Sequence, residues 1–226
     1  MTTAQPTAVV TGASRGLGLA LTRELSRRAW HVAADARRPG PELTSLPGVT
    51  FVPGDVTDPA HRRQLAETTH HGVNLLVNNA SALGPSPMPR LADYPLAELE
   101  HVYAVNTFAP LALVQLLLPG LRAARGRILD ISSDAAVEPY EGWGGYGSSK
   151  AALDQLTAIL AAEEPEIRVY SVDPGDMNTA MHQLAFPGED ISDRPSPETV
   201  VPALFRLIEG DLPSGRYRAA DLGVPA

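Results

Sequence analysis

The chain has 226 residues, 44% of them hydrophobic and 19% charged, with a formal net charge of -8, which suits one globular domain with a substantial core. No basic run exceeds a pair (Arg27-Arg28, Arg37-Arg38, Arg62-Arg63), which argues against nucleic acid and against anionic membrane surfaces as partners. The absence of cysteine excludes disulfides and thiolate metal sites. Residues 1–7 are short and polar and lead directly into an apolar strand, so no signal peptide is expected. The apolar run at 111–118 is too short to span a bilayer, and Pro119-Gly120 closes it. A cytoplasmic, soluble protein is the expectation.

Short apolar runs alternate with longer helical patterns, the arrangement of βαβ units around a parallel sheet. Strands are predicted at Thr7–Val10, His31–Ala36, Val49–Pro53 and Leu75–Asn78, with a helix over 17–29 after a glycine-rich turn. A long helical pattern covers 96–118, followed by a strand over 126–132, a helix over 146–163 and a strand over 167–172. Ser196-Pro197-Glu198 reads as the start of another helix, with serine as N-cap and proline first. A last strand is predicted over 215–219. No repeat or low-complexity segment interrupts the pattern, and the proline-rich stretches 84–89 and 186–197 read as surface loops. The whole chain, 1–226, is therefore expected to be one doubly wound α/β domain.

Thr11-Gly12-Ala13-Ser14-Arg15-Gly16-Leu17-Gly18 follows a strand and opens a helix. Glycines allow a tight turn and close approach of a ligand, and the helix N-terminus offers free N–H groups to a pyrophosphate. The spacing is G-x-x-x-G-x-G rather than the general dinucleotide G-x-G-x-x-G, and alone it is weak. A second feature is compositional. Of the eighteen basic residues only Lys150 is a lysine, and it stands four residues after Tyr146. A chain rich in Arg, Ala, Gly and Pro accounts for scarce lysine, but not for the single exception. Arginine keeps its charge at any accessible pH, whereas the compact lysine ammonium is tunable.

Residues i and i+4 share a helix face, so Tyr146 and Lys150 are placed to interact. Such pairs are frequent on exposed helices, so the spacing alone is poor evidence of chemistry. A free tyrosine titrates near ~10, and a neighbouring cation favours its phenolate. Ser133 ends an apolar strand at the carboxyl edge of the sheet, where open α/β sheets bind ligands, and Ser132 is the neighbouring candidate. Asn106 sits mid-helix, an unfavourable place for asparagine. It reads either as a buried residue satisfying its neighbours or as part of a polar relay.

Taken in order, the T-G-x-x-x-G-x-G turn, Asn78-Asn79-Ala80-Ser81, Asn106, Ser133, Tyr146/Lys150 and Pro174-Gly175 with Thr179 resemble the motifs of the single-domain short-chain dehydrogenases/reductases. The resemblance covers nearly the entire chain. It implies a Rossmann-like fold, a nicotinamide cofactor, and Tyr146, Lys150, Ser133 and Asn106 as the catalytic set. Within that set Tyr146 is acid/base, Lys150 links it to the nicotinamide ribose, Ser133 orients the carbonyl and Asn106 holds a relay water. The family spacing selects Ser133 over Ser132. Cofactor contacts are implied at Gly12, Ser14, Arg15, Gly16, Leu17, Gly18, Asn79, Ala80, Tyr146, Lys150, Pro174, Gly175 and Thr179. Asp55-Val56 resembles the pair that holds the adenine, although Asp55 also reads as a turn acid before Asp58-Pro59. Ser81 replaces the family glycine, and fits if its φ is negative.

Cofactor choice turns on the end of the second strand, where NAD-binding folds place an acid for the ribose 2′-OH. The family pattern puts Ala36, not Asp35, at that position, and strand alternation points Asp35 the other way. Arg15 and Arg37 together could clamp a 2′-phosphate. NADP is thus expected over NAD, with Asp35 as the opposing sign. Tyr140 and Trp143 either wall a pocket or pack their loop; Met181 and His182 fall in a substrate lid around 177–197 that is short for the family. His70-His71 lacks further ligands at metal spacing, and no metal is expected. The reading is an NADP-dependent reductase of a ketone or aldehyde (alcohol oxidation in reverse), with a small-molecule carbonyl or alcohol as substrate. By the same resemblance the long helices imply a homodimer or homotetramer. An enone or imine reductase on the same scaffold, and a non-enzymatic NADP-sensing interaction protein, are the alternatives.

Overall fold

Seven strands and seven α-helices make up the computed structural model, whose described residues are 5–69 and 72–223. The His70-His71 pair falls outside them. The strands are β1 (Thr7–Val10), β2 (His31–Ala36), β3 (Val49–Pro53), β4 (Leu75–Asn78), β5 (Arg127–Ile131), β6 (Arg168–Asp173) and β7 (Gly215–Arg218). The helices are α1 (Gly16–Arg27), α2 (Pro59–Glu67), α3 (Leu96–Tyr103), α4 (Ala109–Ala124), α5 (Gly144–Glu163), α6 (Ala180–Ala185) and α7 (Val201–Ile208). The strands form one sheet in the order β3-β2-β1-β4-β5-β6-β7, and every pairing is parallel.

A parallel sheet must be covered on both faces, and the alternation of side chains divides the core accordingly. Ala8, Val10, Val32, Leu129 and Tyr170 face one side, against Leu17, Leu21 and Leu25 of α1 and Leu204, Phe205 and Ile208 of α7. Val9, Ala33, Leu76, Ile128 and Val169 face the other, against Leu65 of α2 and Leu113, Leu117 and Leu121 of α4. Strand order reverses between β1 and β4, so the connections leave in opposite directions. That divergence opens a crevice at the carboxyl ends of these strands.

The structure departs from the sequence reading in three elements. α2 is not apparent in the hydrophobic pattern because it buries only His61 and Leu65. Its start is nevertheless written in Asp58-Pro59: the Asp58 carboxylate accepts from the N–H of Ala60 at 2.8 Å, and proline takes the first helical position. The helix predicted to close at Pro119-Gly120 instead runs on to Ala124. Leu117 and Leu121 hold it against the sheet, and this packing outweighs the hydrogen bond that proline removes. Ser196 precedes only a short 3-10 turn, Pro197–Thr199, and its side chain makes no cap; the regular helix begins at Val201.

α3, a π-turn at Ala104–Phe108 and α4 run together as one column, Leu96–Ala124. By length and composition this 29-residue column is apolar enough to cross a bilayer, and half of its apolar window is buried within the domain.

Candidate active site

A cleft of about 770 Å³ lies along the carboxyl edge of the sheet, within the size range of small-molecule sites. Its floor is the turn from β1 to α1. No side chain caps α1, and its first turn holds no acidic residue, so its N-terminal N–H groups and dipole stand open to an anion. Gly12 has φ +64, and a Cβ there would meet Ala80 Cα at 2.9 Å; only glycine fits. Asn79 secures this turn by donating to the carbonyls of Thr11 (2.9 Å) and Gly12 (3.1 Å). The Thr11 hydroxyl accepts from the N–H groups of Asn79 and Ala80, each at 3.0 Å.

Gly12, Ser14, Arg15, Gly16, Leu17, Asn79, Ala80, Pro174, Gly175 and Thr179 all line the cleft. Gly18 does not; a Cβ there would meet the Gly12 carbonyl oxygen at 2.3 Å, so its place is in packing the turn. Thr179 caps α6, accepting from the N–H of His182 at 3.2 Å.

At the outer end Arg15 and Arg37 are exposed on the cleft, and neither makes an ion pair or side-chain hydrogen bond among the described residues. Asp55 and Val56 line the same end. Burial alone would raise the Asp55 carboxyl, but the Thr57 N–H and hydroxyl, with Arg37 and His101, hold it below its ordinary value. Both Thr57 groups bind Oδ1, at 2.9 and 2.7 Å. Ala36 is buried on the α1 side, whereas Asp35 turns toward α2, as strand alternation predicts.

At the inner end the structure brings together Ser133, Tyr146 and Lys150. α5 presents Tyr146 and Lys150 on one face, and the Lys150 ammonium sits 5.6 Å from the centre of the Tyr146 ring. Burial pushes the phenol up to about 12, while the Ser133 and Ser81 hydroxyls beside it pull the other way. Burial pushes the Lys150 ammonium down to about 8, opposed by Asp130 and Asp154. The expectation that lysine lowers the tyrosine is therefore not the dominant influence in this structure; desolvation is. The ammonium donates to the carbonyl of Ile131 at 2.7 Å.

Ser133 is half-buried at the cleft, its hydroxyl donating to Asp134 at 2.9 Å. Ser132 also borders the cleft, but it is 2% exposed and its hydroxyl lacks a partner among the described residues. Ser81, in place of the family glycine, has no positive φ and donates to Asn106 Oδ1 at 3.1 Å. Asn106 lies behind the cleft wall, fully buried. Its Oδ1 also accepts from the Ala82 N–H at 2.8 Å, and its Nδ2 donates to the Ala82 carbonyl and the Ser149 hydroxyl, each at 2.9 Å. The side chain thus has its four hydrogen-bonding positions filled by protein.

The lid segment folds as α6 over this end. Met181 and Ala185 pack on Leu83 and Tyr146, and Phe186 meets Trp143 at 5.9 Å between ring centres. Trp143 stands edge-on to Tyr146 at 5.8 Å. Tyr140 instead packs its own loop, donating to Asp134 at 2.9 Å. His182 borders the cleft with Asp176 at 3.7 Å.

Sequence reasoning missed a polar layer behind these groups. Asp130 of β5 is buried, accepts from Asn78 and Thr157 at 2.7 Å each, and feels the Lys150 charge. Asp154, four residues beyond Lys150, pairs with Arg216 of β7 at 2.8 Å, and Arg216 also donates to the Ser133 carbonyl at 3.0 Å. The signal for Asp130 was present, since a carboxylate inside Ile128-Leu129-Asp130-Ile131 requires buried partners. Arg216 gave no signal, because its partners are distant in sequence.

The short chain dehydrogenase family profile matches residues 6–190. Sepiapterin reductase from Mus musculus is 34% identical over 199 residues, 78% of this chain and 76% of its own length. A benzil reductase ((S)-benzoin forming) from Saccharomyces cerevisiae is 31% identical over 218 residues, 89% of this chain and 81% of its own. Among solved structures, the KRED1-Pglu enzyme superposes with a TM-score of 0.84 at 33% identity, over 94% of this chain and 100% of that one. A short chain dehydrogenase from Shigella flexneri complexed with NADP gives 0.84 at 25% identity, over 95% and 97%. The profile covers most of the chain, and the chain belongs to the short-chain dehydrogenase family of NAD(P)-binding oxidoreductases.

Proposed function

We propose that this protein is an NADP(H)-dependent carbonyl reductase acting on a ketone or aldehyde. The observation that carries the reading is the convergence of Ser133, Tyr146 and Lys150 at one end of the cleft whose floor is the uncapped N-terminus of α1. The residues present fit a dinucleotide. Gly12 packs its backbone against Ala80 with no room for a Cβ, which holds the turn tight at the floor of the cleft. The α1 terminus suits a pyrophosphate, with Asp55 and Val56 at the adenine end and Pro174, Gly175 and Thr179 at the other. The free guanidinium groups of Arg15 and Arg37 favour a 2′-phosphate over a bare ribose hydroxyl, and one structural relative is an NADP complex.

The nicotinamide, when bound, supplies the hydride. The chain supplies the rest. Ser133 donates to the substrate carbonyl and orients it, and Tyr146 delivers the proton that quenches the developing alkoxide. With its pKa pushed up to about 12, the phenol is held in the protonated form needed for reduction. The phenolate left behind is stabilised by the Lys150 ammonium. Trp143 and Met181 line the cleft at that end, with Phe186 packed against Trp143, and this apolar, partly aromatic lining favours an aryl-substituted ketone. The names of the sepiapterin and benzil reductases, two of the relatives, point to aromatic carbonyl compounds as well. Exposed Phe108 and Leu116 near α4 and Ile159 on α5 support assembly as a homodimer or homotetramer, and the sequence expectation of a cytoplasmic location carries over.

The test is NADPH oxidation across a panel of aryl ketones by wild type, Tyr146→Phe and Lys150→Arg. Both substitutions are expected to lower kcat by about 10²–10⁴-fold while NADPH binding stays measurable. Full turnover in either variant refutes the proposed roles. Tighter binding of NADH than of NADPH by the wild type would overturn the cofactor assignment, and Arg37→Ala is expected to weaken NADPH selectively.

A further inference from the structure

Asp35 is a buried acid at the carboxyl end of β2, and it borders the cleft beside Gly12, Arg37, Gly54 and Asp55. It is 2% exposed, and its partner His61 is 5% exposed. The imidazole Nε2 of His61 lies 2.5 Å from Asp35 Oδ1, while the Gly12 N–H donates to Oδ2 at 3.4 Å. His61 comes from α2 and its ring is wedged under the end of β3; a Cβ on Gly54 would meet Nδ1 at 2.1 Å. The ring therefore bridges the ends of two strands directly beneath the outer end of the cleft. Burial pushes the Asp35 carboxyl up, and the hydrogen bond and charge of His61 oppose that rise. Whichever partner holds the shared proton, Asp35 is satisfied by His61 and Gly12 together.

A free carboxylate at this edge of the cleft would accept from a ribose 2′-OH and repel a 2′-phosphate. On the assignment of NADP made above, we propose that His61 is a specificity-determining residue acting through Asp35. It holds the carboxylate beneath the glycine turn and so leaves the adenosine 2′ position to Arg15 and Arg37. The choice of cofactor is then made partly on α2, by a side chain that touches neither the ribose nor the phosphate. Removing the imidazole leaves the Asp35 carboxylate unpaired and charged where it borders the cleft, which disfavours the 2′-phosphate of NADPH relative to NADH.

The experiment is fluorescence titration of NADPH and NADH with the intact protein, comparing wild type, His61→Met, Asp35→Asn and the double variant. Methionine approximately conserves volume and donates no hydrogen bond to the acid. In His61→Met the ratio of the NADH to the NADPH dissociation constant is expected to fall about tenfold or more, about 1.4 kcal/mol per decade. The double variant is expected to restore it. Equal changes for both cofactors, or none, overturn the proposal. Asp35→Asn alone tests it without disturbing α2: a ratio unchanged within about twofold supports an idle acid, and a rise of about tenfold shows that Asp35 already reaches the ribose and sinks the proposal. A wild type that prefers NADH refutes the NADP assignment instead. Asp35→Asn then still decides: an unchanged ratio leaves the sequestration standing, and selective loss of NADH binding removes it.

Discussion

Lys150 is 1% exposed and donates to the Ile131 carbonyl, beneath the phenol it is expected to serve. Burial sets its ammonium at about 8, so the group is a cation below that pH and neutral above it. If the cation is the working form, kcat/KM for carbonyl reduction is level in the acid range and falls as pH rises through about 8. Taken with respect to NADPH, that ratio reports the free enzyme. A profile without a limb in that region would show that Lys150 keeps its charge by other means. Tyr146 contributes no limb there, since its phenol titrates about 12. At this scale the sequence was legible wherever a pair lies within one element or at one strand end. Tyr146 and Lys150 share a helix face, and Ser133 follows β5 directly. It was silent on the pairing of Asp35 with His61, because those partners lie on different elements, 26 positions apart.

The elements divide along a similar line. The central strands were placed closely because a strand buried on both faces is largely a continuous apolar run, with no need of tertiary context to recognise it. α2 escaped because a helix with two buried residues has no periodic stripe. Its stability accordingly rests on its cap: Asp58→Ala is expected to destabilise the protein by about 1 kcal/mol, seen as a lower urea midpoint at unchanged slope. No shift in midpoint would mean the cap is redundant. α4 shows the opposite balance, since Pro119 argues against a helix that packing nonetheless completes. Leu121 is fully buried beyond that proline, so Leu121→Ala is expected to cost about 2–5 kcal/mol. A cost below about 1 kcal/mol would show that this last turn is not held by the core.

For the molecule as a whole, several large apolar side chains are exposed, among them Phe108 in the π-turn between α3 and α4, Leu116 on α4 and Ile159 on α5. Phe108 is 60% exposed, Leu116 41% and Ile159 43%. Exposed apolar side chains of this size are common singly but mark contact surfaces when they gather, and symmetric self-association is the usual way to cover one. Sedimentation velocity of the wild type at micromolar concentration is expected to show a dimer or larger species, and Leu116→Glu with Ile159→Glu is expected to shift it toward monomer. A wild type that sediments as a monomer would remove the assembly from the proposal.

By itself the sequence determined the α/β alternation and the glycine turn, since each is encoded by local period or short spacing. The Ser133-Tyr146-Lys150 set, and Ala36 with Arg37 at the end of the second strand, were legible only through resemblance to the family's motifs. Only the tertiary structure decided what those groups experience. Burial raises Tyr146 and lowers Lys150, Asn106 spends its side chain on the Ser81-Ala82 segment and Ser149, and His61 occupies Asp35. Burial and hydrogen-bond partnership are set by which elements the sheet order makes neighbours. That order depends on contacts distant in sequence, which no local pattern records.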